Sequence, residues 1–379
     1  MKFGTKAIHA GVHPDPATGA IMTPIYQTST YAQTSPGQNK GYEYSRTHNP
    51  TRTQLQDALA ALDNGEHGLA FASGMAAIDC VMHLLKPGDE VISTNDLYGG
   101  SYRIFTKVYE PLGIKFRFVP MHNMSAVREA VTEHTKLIWV ETPTNPLLNV
   151  IDIAAAAAVA KEAGALLAVD NTFSTPYLQT PLALGADIVV YSLTKYMGGH
   201  SDVVMGALVF NGDELLERLS FYQNSCGGTP GPQDCFLVLR GLKTLHLRMQ
   251  RHCENGRAVA EYLKAHPKVE KVMWPGFSDH PNHAVAAKQM NDFGGMVSFV
   301  LKGDQQADAI AVLEKFKLFT LAESLGGVES LSGHPATMTH ASIPPAERKK
   351  GGLSDSLIRL SVGVEDAEDL IEDLKQAIG

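Results

Sequence analysis

Short apolar runs alternate with amphipathic stretches between residues 51 and 210. Apolar runs bounded by turn signals are typical of buried strands, and the spacing of apolar residues between these runs is helical. The predicted strands are 69–71, 90–93, 115–119, 137–140, 166–169, 188–191 and 203–210, and the predicted helices are 54–62, 75–85, 102–112, 125–133 and 153–163. This alternation predicts an α/β fold whose mostly parallel sheet has helices on both faces.

The pattern changes near residue 240. A long helix at 244–263 is followed by predicted strands at 295–301 and 357–362 and by helices at 307–316 and 367–378. Strands with separate helices favour a smaller α+β unit. The first forty residues are rich in Gly, Pro, Thr and Gln without a sustained period, so we predict an extended arm. The expected division is an arm at 1–48, a ligand-binding domain at 49–240 and a C-terminal domain at 241–379.

Composition narrows the class of protein. The net charge of −8 and the scattered Lys and Arg residues give no support for nucleic-acid binding. The apolar runs are too short to span a membrane, and the amino terminus lacks a hydrophobic signal core. The four cysteines form no CxxC pair, and the histidines lack the spacing of metal ligands, so no metal is expected. We therefore expect a cytoplasmic enzyme that binds neither nucleic acid nor membrane.

Polar residues follow the predicted strands within a few positions. Ligands of parallel sheets bind beyond the carboxyl ends of the strands, so these side chains are expected to share one crevice. The residues are Ser73, Gly74, Tyr98, Glu141, Asn145, Asp170 and Lys195. Core packing does not explain such a set, whereas a single bound ligand explains all of its members.

Lys195 and Asp170 indicate what that ligand is. A lysine just beyond a buried strand can form an imine with a cofactor aldehyde, and the preceding hydroxyls of Ser192 and Thr194 can bind a phosphate. Asp170, at the end of an earlier strand, can pair with a pyridinium nitrogen. An isolated lysine in this position is more often an exposed residue, but the pair favours pyridoxal 5'-phosphate (PLP).

The Ser73-Gly74-Met75 turn opens a predicted helix, whose free N–H groups form an anion site. The alternative is a serine that only caps the helix. Neither a GxGxxG fingerprint nor a GxxxxGK[ST] loop is present. Their absence disfavours a nicotinamide oxidoreductase and a protein that binds nucleoside triphosphates. A non-catalytic scaffold of the same fold is disfavoured by the intact pair of Lys195 and Asp170.

Two further residues have open interpretations. Tyr98 can stack on a flat ring, or it is simply a tyrosine at a strand-to-helix turn. Arg359 lies in an apolar strand and needs a partner if it is buried. That partner is either a substrate carboxylate held by a bidentate clamp or a neighbouring acid of the chain.

The chain resembles the trans-sulfuration family of PLP enzymes, which act on cystathionine, homoserine esters and methionine. The matching stretches occur in order over almost the whole length. They are 44–51 (YSRTHNPT), 72–75 (ASGM), 96–100 (DLYGG), 141–146 (ETPTNP), 169–172 (VDNT), 192–196 (SLTKY) and 359–363 (RLSVG). One departure is His48, where a glycine is commoner.

The resemblance implies a homotetramer with the type I, aspartate-aminotransferase-like fold, in which 49–240 is the PLP-binding domain. Tyr44 and Arg46 would reach the phosphate in the neighbouring subunit. Together with the residues above, the expected cofactor contacts within one chain are Ser73, Gly74, Met75, Tyr98, Asp170, Ser192, Thr194 and Lys195. Of these, Lys195, Tyr98 and Asp170 are the expected catalytic residues. The resemblance places Asn145 and Arg359, with Ser324 nearby, at the substrate carboxylate.

Residues expected at the mouth of the active site suggest the substrate. Glu43 and Glu323 can attract the distal ammonium of cystathionine, and the resemblance places both near that end. Arg103 would pair with a glutamate or with the distal carboxylate; otherwise it is a solvated helix residue. The stretches 240–246 and 318–324 look most like cystathionine γ-lyases, whereas methionine γ-lyases carry cysteine at the position of Gly100.

The expected reaction is therefore γ-elimination on L-cystathionine, giving L-cysteine, 2-oxobutanoate and ammonia. The close alternative is cystathionine γ-synthase, which condenses an O-acylhomoserine with cysteine. Cystathionine β-lyase and methionine γ-lyase are less favoured.

Overall fold

The computed structural model describes residues 1–338 and 351–379. Its helices in these ranges are α1 Phe3–His9, α2 Pro50–Asp63, α3 Gly74–Met82, α4 Gly99–Ile104, α5 Met124–Ala130, α6 Ile153–Ala163, α7 Thr175–Leu178, α8 Asp213–Cys226, α9 Pro232–Leu242, α10 Leu245–Ala265, α11 His283–Gln289, α12 Gln306–Leu313 and α13 Ala367–Ile378. A π-helical turn at Phe105–Tyr109 and 3₁₀ turns at Glu110–Leu112 and Pro181–Leu184 accompany them.

Twelve strands of the described residues form two sheets. The strands are β1 His67–Phe71, β2 Glu90–Thr94, β3 Lys115–Val119, β4 Thr135–Glu141, β5 Leu166–Asp170, β6 Ile188–Ser192, β7 Gly206–Phe210, β8 Val269–Met273, β9 Met296–Leu301, β10 Thr320–Leu321, β11 Leu331–Gly333 and β12 Leu357–Ser361. The larger sheet has the order β1-β7-β6-β5-β4-β2-β3. The smaller sheet has the order β10-β11-β12-β9-β8.

In the larger sheet the neighbouring strands β3, β2, β4, β5 and β6 are parallel to one another. Only β7 runs antiparallel to its neighbours β1 and β6. Both of its faces are buried, because successive residues of β6 enter different cores. Val189 and Tyr191 pack in one apolar cluster, whereas Ile188 and Val190 pack in another. The prediction of a mostly parallel sheet covered on both faces is confirmed.

The smaller sheet is antiparallel except for the pairing of β10 with β11. Its buried face packs on α10, α12 and α13, and Phe299, Ile358 and Leu370 belong to that core. The predicted second unit with separate strands and helices is therefore present. The proposed boundaries at residues 48 and 240 stay a prediction.

The extended-arm prediction is wrong for the first residues of the chain. Phe3–His9 is helical, Ala7 is buried in the main core, and the Phe3 ring meets the Tyr177 ring edge-on at 5.2 Å. Helix α8 was also not predicted, since its mostly polar sequence buries only Leu219 and Gln223. In the described part of the chain, no helix combines the length and the apolar character needed to cross a membrane.

Candidate active site

A cavity of about 230 Å³ opens at the carboxyl edge of the larger sheet. It brings together the strand-end residues predicted from the sequence with four residues of the second unit. Its polar lining comprises Ser73, Tyr98, Glu141, Asn145, Asp170, Thr172, Ser192, Thr194, Lys195, Glu323, Ser324 and Arg359, and Gly74 and Met75 also line it. Residues from five strand ends and from a distant segment thus face one space.

Lys195 lies in the turn after β6, where its backbone N–H donates to Ser192 O at 3.3 Å. Its side-chain amine donates to Ser324 Oγ at 2.6 Å. Burial, and then the positive charge of Arg359, lowers the pKa of Lys195 to about 8, while Glu323 opposes this shift. About a tenth of this amine is therefore unprotonated at pH 7, and this is the form that can accept a proton.

Asp170 and Glu141 end neighbouring parallel strands and are direct partners in the register of β4 and β5. Burial raises the pKa of Asp170, although the Thr172 N–H, which donates to Asp170 Oδ1 at 3.0 Å, opposes the rise. Burial and then the charge of Asp170 raise the pKa of Glu141 well above its usual range. Because neighbouring carboxylates repel each other, the rise in the pKa of Glu141 favours its protonated form.

The turn before α3 forms a polar cradle beside β6. Ser73 caps the helix, since its Oγ accepts from the Ala76 N–H at 3.0 Å. A Cβ on Gly74 would lie 3.1 Å from the Cβ of Ser192, so glycine lets the helix start approach the end of β6 closely. The cap interpretation of Ser73 is correct, and it is compatible with anion binding because the hydroxyl hydrogen and the first helical N–H groups remain available.

The hydroxyl of Thr194 is already hydrogen-bonded within the chain. Its Oγ1 donates to Met205 O at 3.2 Å and accepts from the Met205 N–H at 3.1 Å. A hydroxyl has a single hydrogen, so a phosphate contact from Thr194 would require it to leave the Met205 carbonyl.

The Tyr98 ring stands at the rim of the cavity and is 40% exposed. Its backbone N–H donates to Glu141 Oε2 at 2.8 Å, which ties the start of α4 to the end of β4. A Cβ on Gly100 would lie 2.3 Å from Cε1 of Tyr98, so any larger residue at 100 would displace this ring.

Arg359 is buried at the opposite wall, on β12. Its Nη1 donates to Asn145 Oδ1 at 2.9 Å and its Nη2 donates to Ser324 O at 3.0 Å. These acceptors are neutral oxygens, so the guanidinium keeps its full charge for a bound carboxylate. Burial lowers the pKa of Arg359 and Glu323 opposes that change, but a guanidinium remains charged.

Four predicted site residues lie outside the cavity lining. Glu43, Tyr44 and Arg46 lie on the segment before α2, where the Arg46 Nη1 donates to Asn224 O at 2.7 Å and its guanidinium lies 5.6 Å from the Tyr44 ring centroid. Arg103 is exposed on α4. The structure of one chain does not bring these four side chains to the residues around Lys195.

Thr172 was not predicted as a site residue, and Glu141 was predicted only as a strand-end residue. Thr172 Oγ1 accepts from the Ser192 N–H at 2.9 Å, while its own N–H bonds to Asp170. It therefore locks the ends of β5 and β6 together beneath the cavity. The sequence could have indicated Thr172, because it follows Asp170 by two positions at the same sheet edge.

The donor set fits PLP. The half-buried Asp170 carboxyl is absent from the ion pairs of residues 1–338 and 351–379, so a cationic ring nitrogen would supply its missing partner. The amine of Lys195 and the helix start at Gly74 line the same small cavity. An aldehyde, a pyridine and a phosphate on one molecule match these three groups.

Comparison with known proteins agrees with this fit. Residues 4–379 match the family described as Cys/Met metabolism PLP-dependent enzymes. A cystathionine beta-lyase of Coxiella burnetii is 54% identical over 99% of this chain and 97% of that protein. A cystathionine gamma-lyase of Bacillus subtilis is 54% identical over 100% of this chain and 99% of that protein. Relatives at 52% identity include proteins named cystathionine gamma-synthase.

A solved structure extends the likeness to three dimensions. The cystathionine gamma-lyase from Lactobacillus plantarum, crystallised with L-serine, superposes with a TM-score of 0.97 at 47% identity. The match covers 100% of this chain and 98% of that one. The family resemblance, the fold class and the cofactor inferred from the sequence motifs are confirmed.

Proposed function

We propose that this chain, which belongs to the Cys/Met metabolism family of PLP-dependent enzymes, cleaves L-cystathionine by γ-elimination to L-cysteine, 2-oxobutanoate and ammonia. The observation that carries the proposal is the placement of two opposite charges around one reactive amine. Arg359 is buried beside Lys195, and the carboxylate of Glu323 stands exposed at the rim of the same cavity. Cystathionine has an amino-acid group at each end. It therefore offers a carboxylate to Arg359 and an ammonium to Glu323.

The cofactor would be held by residues of four strand ends. When bound, PLP supplies an aldehyde that takes up the substrate amine and a ring that withdraws electrons from it. Gly74 and Met75 would offer N–H groups to the phosphate, with Ser73, Ser192 and Thr194 as hydroxyl donors. Tyr98 would stack on the ring, and Asp170 would hold a proton on the ring nitrogen.

Asp170 suits that role because of its surroundings. The raised pKa of its neighbour Glu141 favours the protonated form there, so a single negative charge faces the ring nitrogen. The Thr172 N–H fixes one oxygen of Asp170 and thereby orients the carboxylate. A cation opposite would lower the pKa of Asp170 and keep the carboxylate ionised.

Lys195 would move the protons of the reaction. Its pKa of about 8 leaves part of the amine free of its proton at neutral pH, and that form can take a proton from the substrate Cα. Once it has passed that proton on, the same amine can take a second proton from Cβ, and the electron pair left there allows a thiol to leave from Cγ. Ser324 Oγ, 2.6 Å from the amine, holds it at the wall shared with the substrate carboxylate.

The substrate carboxylate would bind to Arg359 and Asn145. The two Arg359 donors currently bond to Asn145 Oδ1 and Ser324 O, so the guanidinium plane is already fixed. A carboxylate entering here would meet a bidentate, oriented donor.

We further propose a cytoplasmic homotetramer built from dimers that share active sites. Support comes from Glu43, Tyr44 and Arg46, which lie away from the cavity of their own chain. Tyr44 and Arg46 would contact the phosphate there, and Glu43 would face the distal ammonium. Arg103, exposed on α4, would pair with a distal carboxylate.

Product analysis tests the reaction. With L-cystathionine, cysteine plus 2-oxobutanoate supports the proposal, whereas homocysteine plus pyruvate would identify a β-lyase and contradict it. Cystathionine γ-synthase is the second candidate, because relatives of 52% identity carry that name and γ-replacement needs the same residues. Net synthesis of cystathionine from an O-acylhomoserine and cysteine, faster than its cleavage, would favour this alternative.

A further inference from the structure

A second cluster of reactive side chains lies at the far end of α3, away from the cavity. The Cys226 Sγ, at the last residue of α8, is 3.6 Å from Nε2 of His83. The same nitrogen is 3.5 Å from Oδ2 of Asp79. Thiol and carboxylate thus both face Nε2 of His83, so the imidazole can act as the base for the thiol and the carboxylate lies beside the positive charge that results.

The imidazole in this cluster is held rigidly. The His83 ring stacks on Tyr222 at 5.0 Å with an interplanar angle of 14°, and the ring of Tyr109 meets it edge-on at 6.1 Å. The Tyr109 hydroxyl also donates to Oδ1 of Asp79 at 2.7 Å, which directs the other carboxylate oxygen to the imidazole. The imidazole and the carboxylate are therefore each oriented by a neighbour.

The charges of the cluster favour proton transfer from sulfur to nitrogen. With the hydrogen of the neutral ring on Nδ1, Nε2 of His83 presents its lone pair to the Cys226 thiol, and the Asp79 carboxylate beside that nitrogen stabilises the imidazolium that forms. Transfer places an imidazolium between a thiolate and a carboxylate. The carboxyl end of α8 carries partial negative charge, which opposes a thiolate at Cys226, so His83 is needed to stabilise it.

Access separates Cys226 from the other thiols. The chain has four cysteines, and Cys226 is exposed whereas Cys80, Cys235 and Cys253 are buried. Thiol–disulfide exchange requires both a thiolate and access to it. Cys226 has the access, and the imidazole 3.6 Å away supplies a base for its proton.

We propose that Cys226, activated by His83 and Asp79, is a covalent modification site for low-molecular-weight disulfides. The Cys226 proton passes to Nε2 of His83, and the sulfur attacks one sulfur of the disulfide. The S–S bond of the small molecule breaks, a mixed disulfide forms on Cys226, and the second half leaves as a thiolate that takes up the proton. The disulfide is the oxidant, and a small thiol reverses the step.

The test uses the PLP-loaded enzyme and 5,5'-dithiobis(2-nitrobenzoate), which releases a coloured thiolate on exchange. We expect one fast-reacting thiol per chain, which Cys226→Ser removes. His83→Gln should slow this phase at pH 7 roughly tenfold, because a free cysteine is only a few per cent ionised there. Asp79→Asn should slow it in the same direction. His134→Ala, which changes an exposed histidine beside Glu133, is the matched control and should react as the unaltered enzyme does.

A second probe establishes the adduct. After incubation with glutathione disulfide, peptide mapping by mass spectrometry should place one glutathione on Cys226, and dithiothreitol should remove it. Circular dichroism melting shows that each variant is folded, and the Asp79→Asn rate still tests the cluster if His83→Gln is unstable. The proposal is overturned if Cys226→Ser keeps the fast thiol, or if folded His83→Gln and Asp79→Asn proteins react at the original rate.

Discussion

The amine of Lys195 donates a hydrogen bond of 2.6 Å to the hydroxyl of Ser324, 129 residues further along the chain. This bond joins the edge of the larger sheet to the segment that leads into β11. The adjoining turn is equally close, because a Cβ on Gly326 would lie 2.6 Å from the backbone N of Tyr196. The second unit therefore completes the environment of the reactive amine.

Ser324→Ala should lower kcat on cystathionine more than it raises KM. The hydroxyl positions the Lys195 amine, and loss of a hydrogen bond to a charged group costs about 1.5–3 kcal/mol, or roughly tenfold or more in rate. Steady-state kinetics at fixed pH measure both parameters. Ser324 has φ +92°, so Ser324→Gly provides a matched variant that removes the hydroxyl without backbone strain. An unchanged kcat in both variants would refute the positioning role.

Covalent attachment of PLP to the cofactor-free protein should depend on pH through Lys195. Only the unprotonated amine attacks the aldehyde, and the pKa of Lys195 is lowered to about 8, mainly by burial. The attachment rate should therefore rise with pH up to about 8 and level off above it. Stopped-flow absorbance of the attached cofactor gives this profile. A rate that keeps rising towards pH 10 would show that the pKa of Lys195 is not lowered.

Glu323→Gln should reduce kcat/KM for cystathionine while leaving homocysteine nearly unaffected. The longer substrate alone carries a distal ammonium, and an exposed charge pair contributes up to about 1 kcal/mol, or roughly fivefold. Glu329→Gln serves as the control, since Glu329 lies on the same segment outside the cavity lining. Equal losses on the two substrates would remove the assignment of Glu323 to the distal amine.

Mixed oligomers should reveal whether active sites are shared. Lys195→Ala and Arg46→Ala chains are each expected to be nearly inactive alone. Where they assemble together, some sites combine an intact Lys195 from one chain with an intact Arg46 from its neighbour, and activity should reappear. Co-expression with two affinity tags isolates the hybrids for assay. Hybrids as inactive as both parents would argue that Arg46 acts outside a neighbouring active site.

Much of the cavity was predictable for one physical reason. Parallel strands present their carboxyl ends at one edge, so Tyr98, Asp170 and Lys195 had to converge once the strands were recognised. The match of α6 and β3 to their predicted bounds has a similar origin, since their apolar periodicity is uninterrupted. Helix α1 was missed because its short sequence has no helical period, and it is stabilised by packing on the rest of the chain.

The amino-acid sequence by itself determined the α/β architecture, the family, the cofactor and the set of polar residues at the sheet edge, because each depends on local period or on short motifs. Only the tertiary structure decided the lowered pKa of Lys195, its bond to Ser324 and the cluster at Cys226. These properties arise from desolvation and from charges and hydroxyls that lie tens to hundreds of residues away. No local pattern encodes such distances, since they exist only after the sheets and helices have packed.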